Sequence, residues 1–382
     1  MEQAREKQNG SRGFYDYSLV IIICFLVCFG MIMLYSTVSY TAQLQNITAT
    51  EYLKNQIIAT VLGFIAMFAI SFMDYHKFAR FAVLGYLASY VLIFLVLTPL
   101  GITVNGATRW LGVGSFSFQP AEFVKIAVIL FLAYIINKWN KKIVKLRYVF
   151  AVLMLIAPIS VLLWQITDNL STALIVAGIA VVVVFIASPD YKFFVSMGII
   201  VIGVVLFIVF KIDWLISLSE SFRLERIQAW LNPEDYASGT GFQTLQSLYA
   251  IGSGSFFGKG LGNSIQKLNF LPEPQNDMIF AIICEELGLF GAVCVILMFL
   301  FMIWRFMVIA NNAPDLFGTL LVVGVMGHIA IQVILNIAVV TNTIPNTGIT
   351  LPFISYGGTS AAFLLAEMGL ALSVSRQIKV IK

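Results

Sequence analysis

Ten apolar runs, each about as long as the ~20-residue helix needed to cross a bilayer, constrain this chain more than any other feature. They lie near 17–40, 56–73, 79–100, 119–137, 148–165, 171–188, 193–211, 278–308, 316–341 and 357–375. Stretches such as VLGFIAMFAI and IVAGIAVVVVFIA are apolar on every side, whereas strands of a transmembrane barrel alternate apolar and polar residues. The expected fold is therefore all-α: a polytopic integral membrane protein of ten transmembrane helices, with a large extracytoplasmic loop between helices 7 and 8. Composition agrees, since 60% of side chains are hydrophobic and 11% charged, against roughly half and a quarter in soluble domains. Ten spans in 382 residues leave room for one sizeable loop. That excludes a receptor with a large ectodomain and predicts a single domain over 1–382, with a tail at 1–16, the loop at 212–276 and a second tail at 376–382.

The net charge of +4 gives no case for nucleic-acid binding, because the basic residues follow topology. With a cytoplasmic N-terminus, fifteen of the 23 Lys and Arg fall on inner segments and only Lys54 and Arg109 on short outer loops. Lys125 lies within a span, and Lys211, Arg223, Arg226, Lys259 and Lys267 lie on the long connection, a class of loop exempt from the positive-inside count. Both termini are thus expected in the cytoplasm. The first apolar stretch is too long for a cleavable signal and reads as an anchor. Cys24, Cys28, Cys284 and Cys294 sit inside apolar runs without metal-ligand spacing and read as packing residues.

The long connection opens with DWLISLSESFRLERIQAWL, an amphipathic stretch suited to lying along the interface. It continues through NPEDYASGTGFQ and IGSGSFFGKGLGNS, whose glycines permit tight turns. It is too aromatic for a plain spacer and is expected to form a partly embedded cap over the outer helix ends.

Ionisable groups inside a bilayer cost a few kcal/mol and persist where they have a partner or a task. Glu122 and Lys125, three apart on one helical face, form either an internal ion pair or one wall of an outward-facing polar cavity. Asp277 opens the eighth span after LPEPQN. It reads equally as an N-cap and as a partly desolvated proton acceptor at a cavity mouth. Glu285 and Glu286 lie two turns deeper and require a neighbouring partner or protonation. His328, Gln332 and Asn336 recur every four residues, a pattern for interhelical hydrogen bonding or for a groove or proton path. Glu367, midway along the tenth span, also requires a partner. Two histidines make no tight zinc site, although carboxylates and phosphates can hold a divalent ion loosely. On the outer side Arg109, Arg223, Arg226, Lys259 and Lys267 could meet a pyrophosphate. These features fit a transporter and an enzyme acting on a lipid pyrophosphate equally well.

Three stretches resolve that choice by resemblance: NGATRWLGVGSFSFQPAEFVK at 105–125, the segment from RLERIQAWLNPEDYASGTGFQ to NDMIFAIICEELG at 223–288, and NTGITLPFISYGGTS at 346–360. Together they resemble the SEDS family of RodA, FtsW and SpoVE, the peptidoglycan glycosyltransferases of shape, division and sporulation, over the whole chain. The resemblance implies a ten-helix enzyme of the bacterial cytoplasmic membrane that polymerises lipid II on its outer face and releases undecaprenyl pyrophosphate. Its implied partners are lipid II and the nascent glycan strand, a class B penicillin-binding protein that crosslinks the strands, and membrane lipids. The family's essential aspartate falls on Asp277, with the implied role of general base. Arg109, Glu122, Lys125, Arg223, Arg226, Lys259 and Ser355 are the expected substrate contacts, with Mg²⁺ or Mn²⁺ loosely held on the pyrophosphate and no organic cofactor.

Some positions depart from the family pattern. His-Thr before the aspartate is Gln275-Asn276, GSGG is Gly252-Ser253-Gly254-Ser255, and Pro-Asp-Leu reads Thr167-Asp168-Asn169-Leu170. GKGLGNSIQK and TGITLPFISYGG are closer to FtsW or SpoVE than to RodA. Two other roles fit the same resemblance. One is a lipid II flippase with a polar path along Glu122, Lys125, His328 and Glu367, and the other is a scaffold without chemistry of its own.

Overall fold

The computed structural model describes residues 12–44, 49–104, 106–113, 116–212, 214, 222–239 and 241–380. Ten helices among them are long and apolar enough to cross a membrane. In chain order these are α1 (Tyr17–Leu44), α2 (Ala49–Phe72), α3 (Ala82–Leu95, entered through a 3₁₀ turn at Tyr75–Phe81), α4 (Pro120–Trp139), α5 (Leu146–Ile166), α6 (Leu170–Ala187) and α7 (Tyr191–Phe210), then α10 (Ile279–Asn311), α11 (Leu316–Val340) and α12 (Gly358–Gln377). Two shorter helices, α8 (Phe222–Leu231) and α9 (Phe242–Ser253), lie in the long connection.

The sequence analysis expects the second span to start later and the third to run on to 100. Instead α3 stops at Leu95 because the chain turns into a small antiparallel sheet of β2 (Gly101–Val104), β3 (Ala107–Val113) and β4 (Phe116–Phe118). This sheet is an addition to the expected all-helical fold. Its signal was the dipeptide Asn105-Gly106, a hairpin turn former between β-branched residues. Of the amphipathic segment at 213–231, the described part forms α8, while the tail residues 1–11 and 381–382 lie outside the described residues.

Helix ends follow local chemistry. Pro120 occupies the first turn of α4, where its missing N–H is no loss. Asn169 caps α6 by accepting from the Thr172 amide at 3.0 Å, and Asp315 caps α11 by accepting from the Gly318 amide at 2.8 Å. The α11 helix is the most enclosed and forms the centre of the bundle. In contrast, α7 has nearly all of its apolar surface facing outward. The four cysteines are free, with Cys284 buried and Cys28 exposed on the apolar exterior.

At one end of the bundle β1 (Arg12–Gly13) pairs with β5 (Lys379–Val380), so both ends of the described chain lie side by side. Nearby, Arg305 donates to Asp16 through Nε and at 2.7 Å through its terminal nitrogen. His76 bridges Asp74 and Asp315, each at 2.7 Å, and Tyr75 donates to Asp315 at 2.9 Å. These contacts tie the ends of α1, α3, α11 and α12 into one face.

The opposite face carries the cap. A break in α10 at Gly288 (φ 68°, ψ −167°) opens the helix within the membrane, where exposed peptide groups must be satisfied internally. The glycine-rich segment satisfies them: Leu289 and Phe290 amides donate to the Ser255 and Phe256 carbonyls, and Lys259 and Gly260 amides donate to the Glu285 and Glu286 carbonyls. Close backbone contact requires that no side chain intervene, since a Cβ on Gly288 would meet the Gly258 nitrogen at 2.4 Å. The carboxylates of Glu285 and Glu286, both fully buried, belong to the same joint. Lys259 reaches Glu285 at 2.6 Å and Lys267 reaches Glu286 at 2.7 Å. Ser36, Ser264 and the Ile265 amide complete the set.

Candidate active site

Asp277 precedes α10 at its cap end. The helix N-cap is Met278, with no side-chain cap bond, so the capping role is not the one Asp277 fills. Its position is fixed through the backbone instead. The Asn336 amide of α11 donates to the Asp277 carbonyl and to the Ile349 carbonyl, both at 2.7 Å. The half-buried carboxylate faces the loop 346–357, where Gly348 adopts a left-handed conformation (φ 65°) and a Cβ would lie 3.7 Å from Oδ2. Oδ1 is buried and has no hydrogen-bond partner among the described residues.

Such an environment disfavours the charged form. Burial pushes the Asp277 carboxyl up to about 7, with Glu273 adding to the rise, while the Asp277 and Met278 amides and the Arg226 guanidinium pull the other way. An acid that loses its proton near neutrality and has an uncommitted oxygen is suited to accept one from a bound hydroxyl.

The same loop borders a cleft on the α4 side, lined by Glu122, Gln332, Ser355 and Tyr356 among others. Lys125 bonds Glu122 at 2.9 Å, which is the internal ion pair, and Glu122 alone of the two lines the cleft. The Ser355 hydroxyl accepts from the Leu351 amide at 2.7 Å. The Tyr356 amide donates to the Gln275 carbonyl at 2.9 Å, joining the cleft to the strand of chain that carries Asp277. Behind the cleft, His328 contacts Glu367 at 2.8 Å and Gln332 at 2.8 Å, and Gln332 donates to the Thr350 carbonyl at 3.0 Å. The polar stripe of α11 is therefore an interhelical network, and Glu367 has its partner.

The expected ring of cations is dispersed. Arg226, exposed on α8, is the one whose charge acts on Asp277. Arg109 donates to the Thr167 and Asp168 carbonyls at 3.2 and 2.7 Å, which fixes β3 to the α5–α6 turn. The Arg223 side chain lies outside the described residues. Lys259 departs from expectation because its ammonium is bound to Glu285 in the joint beneath the break in α10. Its charge compensates a buried carboxylate, a structural duty that removing Lys259 would leave unmet. Among the described residues no three His, Cys, Asp or Glu side chains converge to hold a metal.

A second cavity, of about 250 Å³, lies between α8, α9 and the 346–348 turn and is lined by Arg226, Trp230, Gly239, Phe242, Gln243 and Asn346 among others. The sequence analysis did not single out Trp230, Gln243 or Asn346, since an aromatic and two amides in a loop carry no motif of their own.

Ten crossing helices under a cap, with a raised carboxylate at the cap end, define a multi-pass membrane protein with a polar site at one face. Residues 17–380 match the FtsW, RodA and SpoVE family of cell cycle proteins, and the chain belongs to that family. It is 41% identical over 362 residues to stage V sporulation protein E of Bacillus subtilis strain 168, covering 94% of this chain and 97% of that one. It is 36% identical to the probable peptidoglycan glycosyltransferase FtsW of Trichlorobacter lovleyi, with 96% and 94% covered. Among solved structures it resembles a chain from a study of structural coordination of polymerization and crosslinking by a peptidoglycan synthase complex (TM-score 0.78, 27% identity, 95% and 98% covered). It also resembles Thermus thermophilus rod shape determining protein RodA (TM-score 0.68, 26% identity, 95% and 97% covered).

Proposed function

We propose that this protein is a peptidoglycan glycosyltransferase that polymerises lipid II into glycan strands at the outer face of the cytoplasmic membrane, with both termini in the cytoplasm. The observation that carries the reading is Asp277: a carboxylate with an unpartnered oxygen, raised to about 7, at the cap face of the bundle. Kinship with relatives named as glycosyltransferases supports it at the scale of the whole chain.

In the reaction the Asp277 carboxylate takes the proton of an acceptor sugar hydroxyl as that oxygen bonds to the anomeric carbon of the donor. The donor's bond to pyrophosphate breaks in the same displacement, and its electron pair leaves with undecaprenyl pyrophosphate. One carboxylate suffices for such a direct, inverting attack, because no sugar–enzyme bond is formed. Arg109 and Arg223 are the proposed pyrophosphate contacts, and Arg226, whose charge acts on Asp277, is the proposed substrate contact beside the base. Glu122 and Ser355, which line the adjoining cleft, and Lys125, paired with Glu122, are the proposed contacts for the lipid-linked sugars. A loosely bound Mg²⁺ or Mn²⁺ would supply charge neutralisation for the pyrophosphate. A class B penicillin-binding protein is the proposed partner, in keeping with the peptidoglycan synthase complex that the chain resembles.

The flippase path would need Glu122, Lys125, His328 and Glu367 as stepping stones, yet these groups are bonded to one another as pairs within the bundle. The test uses the purified chain with its partner in vesicles containing labelled lipid II. Wild type is expected to form glycan strands, and Asp277→Asn to lose activity by about 10²–10⁴-fold while partner capture is retained. Undiminished polymer from Asp277→Asn overturns the base assignment. Movement of lipid II between leaflets without any polymer selects the flippase.

A further inference from the structure

We infer that the cavity between α8, α9 and the 346–348 turn is the subsite for the N-acetylated sugar ring whose hydroxyl attacks. This assignment rests on the glycosyltransferase reading for its choice of ligand, and on the cavity itself for its chemistry.

Its volume of about 250 Å³ suits one sugar ring rather than a polyprenyl chain. Trp230 and Phe242 supply aromatic surface for the C–H face of a pyranose, and Gln243 and Asn346 supply amides for its hydroxyl and acetamido groups. Among the described residues Arg226 is the one cation of the lining, and the aromatic and amide groups around it are the chemistry of a sugar rather than of a pyrophosphate with its paired negative groups. The walls are held in place. The Trp230 indole N–H donates to the Asn342 carbonyl at 2.9 Å, and the Asn342 amide returns a bond to the Trp230 carbonyl at 3.3 Å. Ser247 docks α9 onto α11 by donating to the Val340 carbonyl at 2.8 Å.

The cavity is wired to the base. The Asn346 amide donates to Gln243 Oε1 at 2.7 Å, and its own oxygen accepts from the Gly348 amide at 3.2 Å. Asn346 thus holds the left-handed turn that packs against Asp277 Oδ2, while its side chain lines the cavity. Arg226 similarly lines the cavity and acts on the Asp277 charge. A sugar seated there would lie beside the turn that packs against the Asp277 carboxylate.

Gly239 offers a clean test, because it lines the cavity and a Cβ placed on it meets nothing within 4 Å. Gly239→Trp should fill the cavity without disturbing the fold. The full chain in nanodiscs is assayed for lipid II polymerisation. In the Asp277→Asn background, which prevents turnover, it is also assayed for saturation transfer to a soluble disaccharide–pentapeptide lacking lipid and pyrophosphate. Gly239→Trp is expected to raise KM for lipid II at least tenfold, to change kcat less than threefold, and to remove the saturation-transfer signal. Gly203→Leu, equally open but on α7, should leave both readouts unchanged. A wild-type KM and probe signal in a folded Gly239→Trp would overturn the subsite. So would displacement of the sugar probe by inorganic pyrophosphate at equal concentration, which would mark a phosphate site. Failure of wild type to polymerise strikes the glycosyltransferase reading alone, since probe binding and its loss in Gly239→Trp are read without turnover.

Discussion

Asp277 sets the pH behaviour expected of the enzyme. As the proposed general base it must be ionised, so the rate should rise through a pH of about 7 and level off above it. Burial is the chief cause of the raised value, and Arg226 partly offsets it. Arg226→Gln should therefore move the rising limb to higher pH, and Glu273→Gln should move it lower; pH–rate profiles of kcat/KM on lipid II check both shifts. The linkage has a definite sign. Because the folded value lies above the ordinary 3.8, Asp277 favours the folded state most below about pH 4, and this advantage is lost as pH rises through about 7. At this scale the sequence already marked Asp277 as a carboxylate between a polar loop and an apolar helix, but whether it capped that helix depended on φ and ψ at Met278. The ion pair of Lys259 was not legible for a related reason. Its partner Glu285 lies 26 residues away, and composition shows a cation without showing what neutralises it.

The glycine-rich segment and the broken α10 form one element although they are separate in the chain. Opening a membrane helix strands peptide groups, and here the loop's backbone supplies the missing partners. Gly288→Ala should be among the most damaging single-methyl changes in the molecule, since it combines a positive φ with a 2.4 Å approach to Gly258. Strain and overpacking together suggest a loss of about 3 kcal/mol, measurable as a lowered thermal midpoint in detergent. Gly203→Ala, on the exposed side of α7, should stay within about 0.5 kcal/mol. The ten crossing helices were legible because a bilayer imposes length and apolarity on each. The Gly288 break was not, since an apolar run reads the same whether or not it is interrupted by one left-handed residue.

For the molecule as a whole, the distribution of Lys and Arg predicts orientation, and the pairing of β1 with β5 puts both ends of the described chain at one face. Asp235→Cys, in the turn between α8 and α9, should react with a membrane-impermeant maleimide in intact cells, and Lys141→Cys should react only after permeabilisation. The reverse pattern would invert the topology and strand Asp277 on the wrong side of the membrane for an extracellular substrate. The cavity walled by Trp230 and Asn346 could not be foreseen, because its residues come from four separated segments that only the folded bundle assembles.

The two bonds from Asn336 bear on how this protein can evolve. Proton acceptor and facing turn are both referenced to a single amide on the most deeply enclosed helix. Changes in the exterior connection that spare Arg226 and Glu273 therefore leave the anchorage of Asp277 and its facing loop in place, so the outer surface of the connection and the placement of the carboxylate can diversify at different rates.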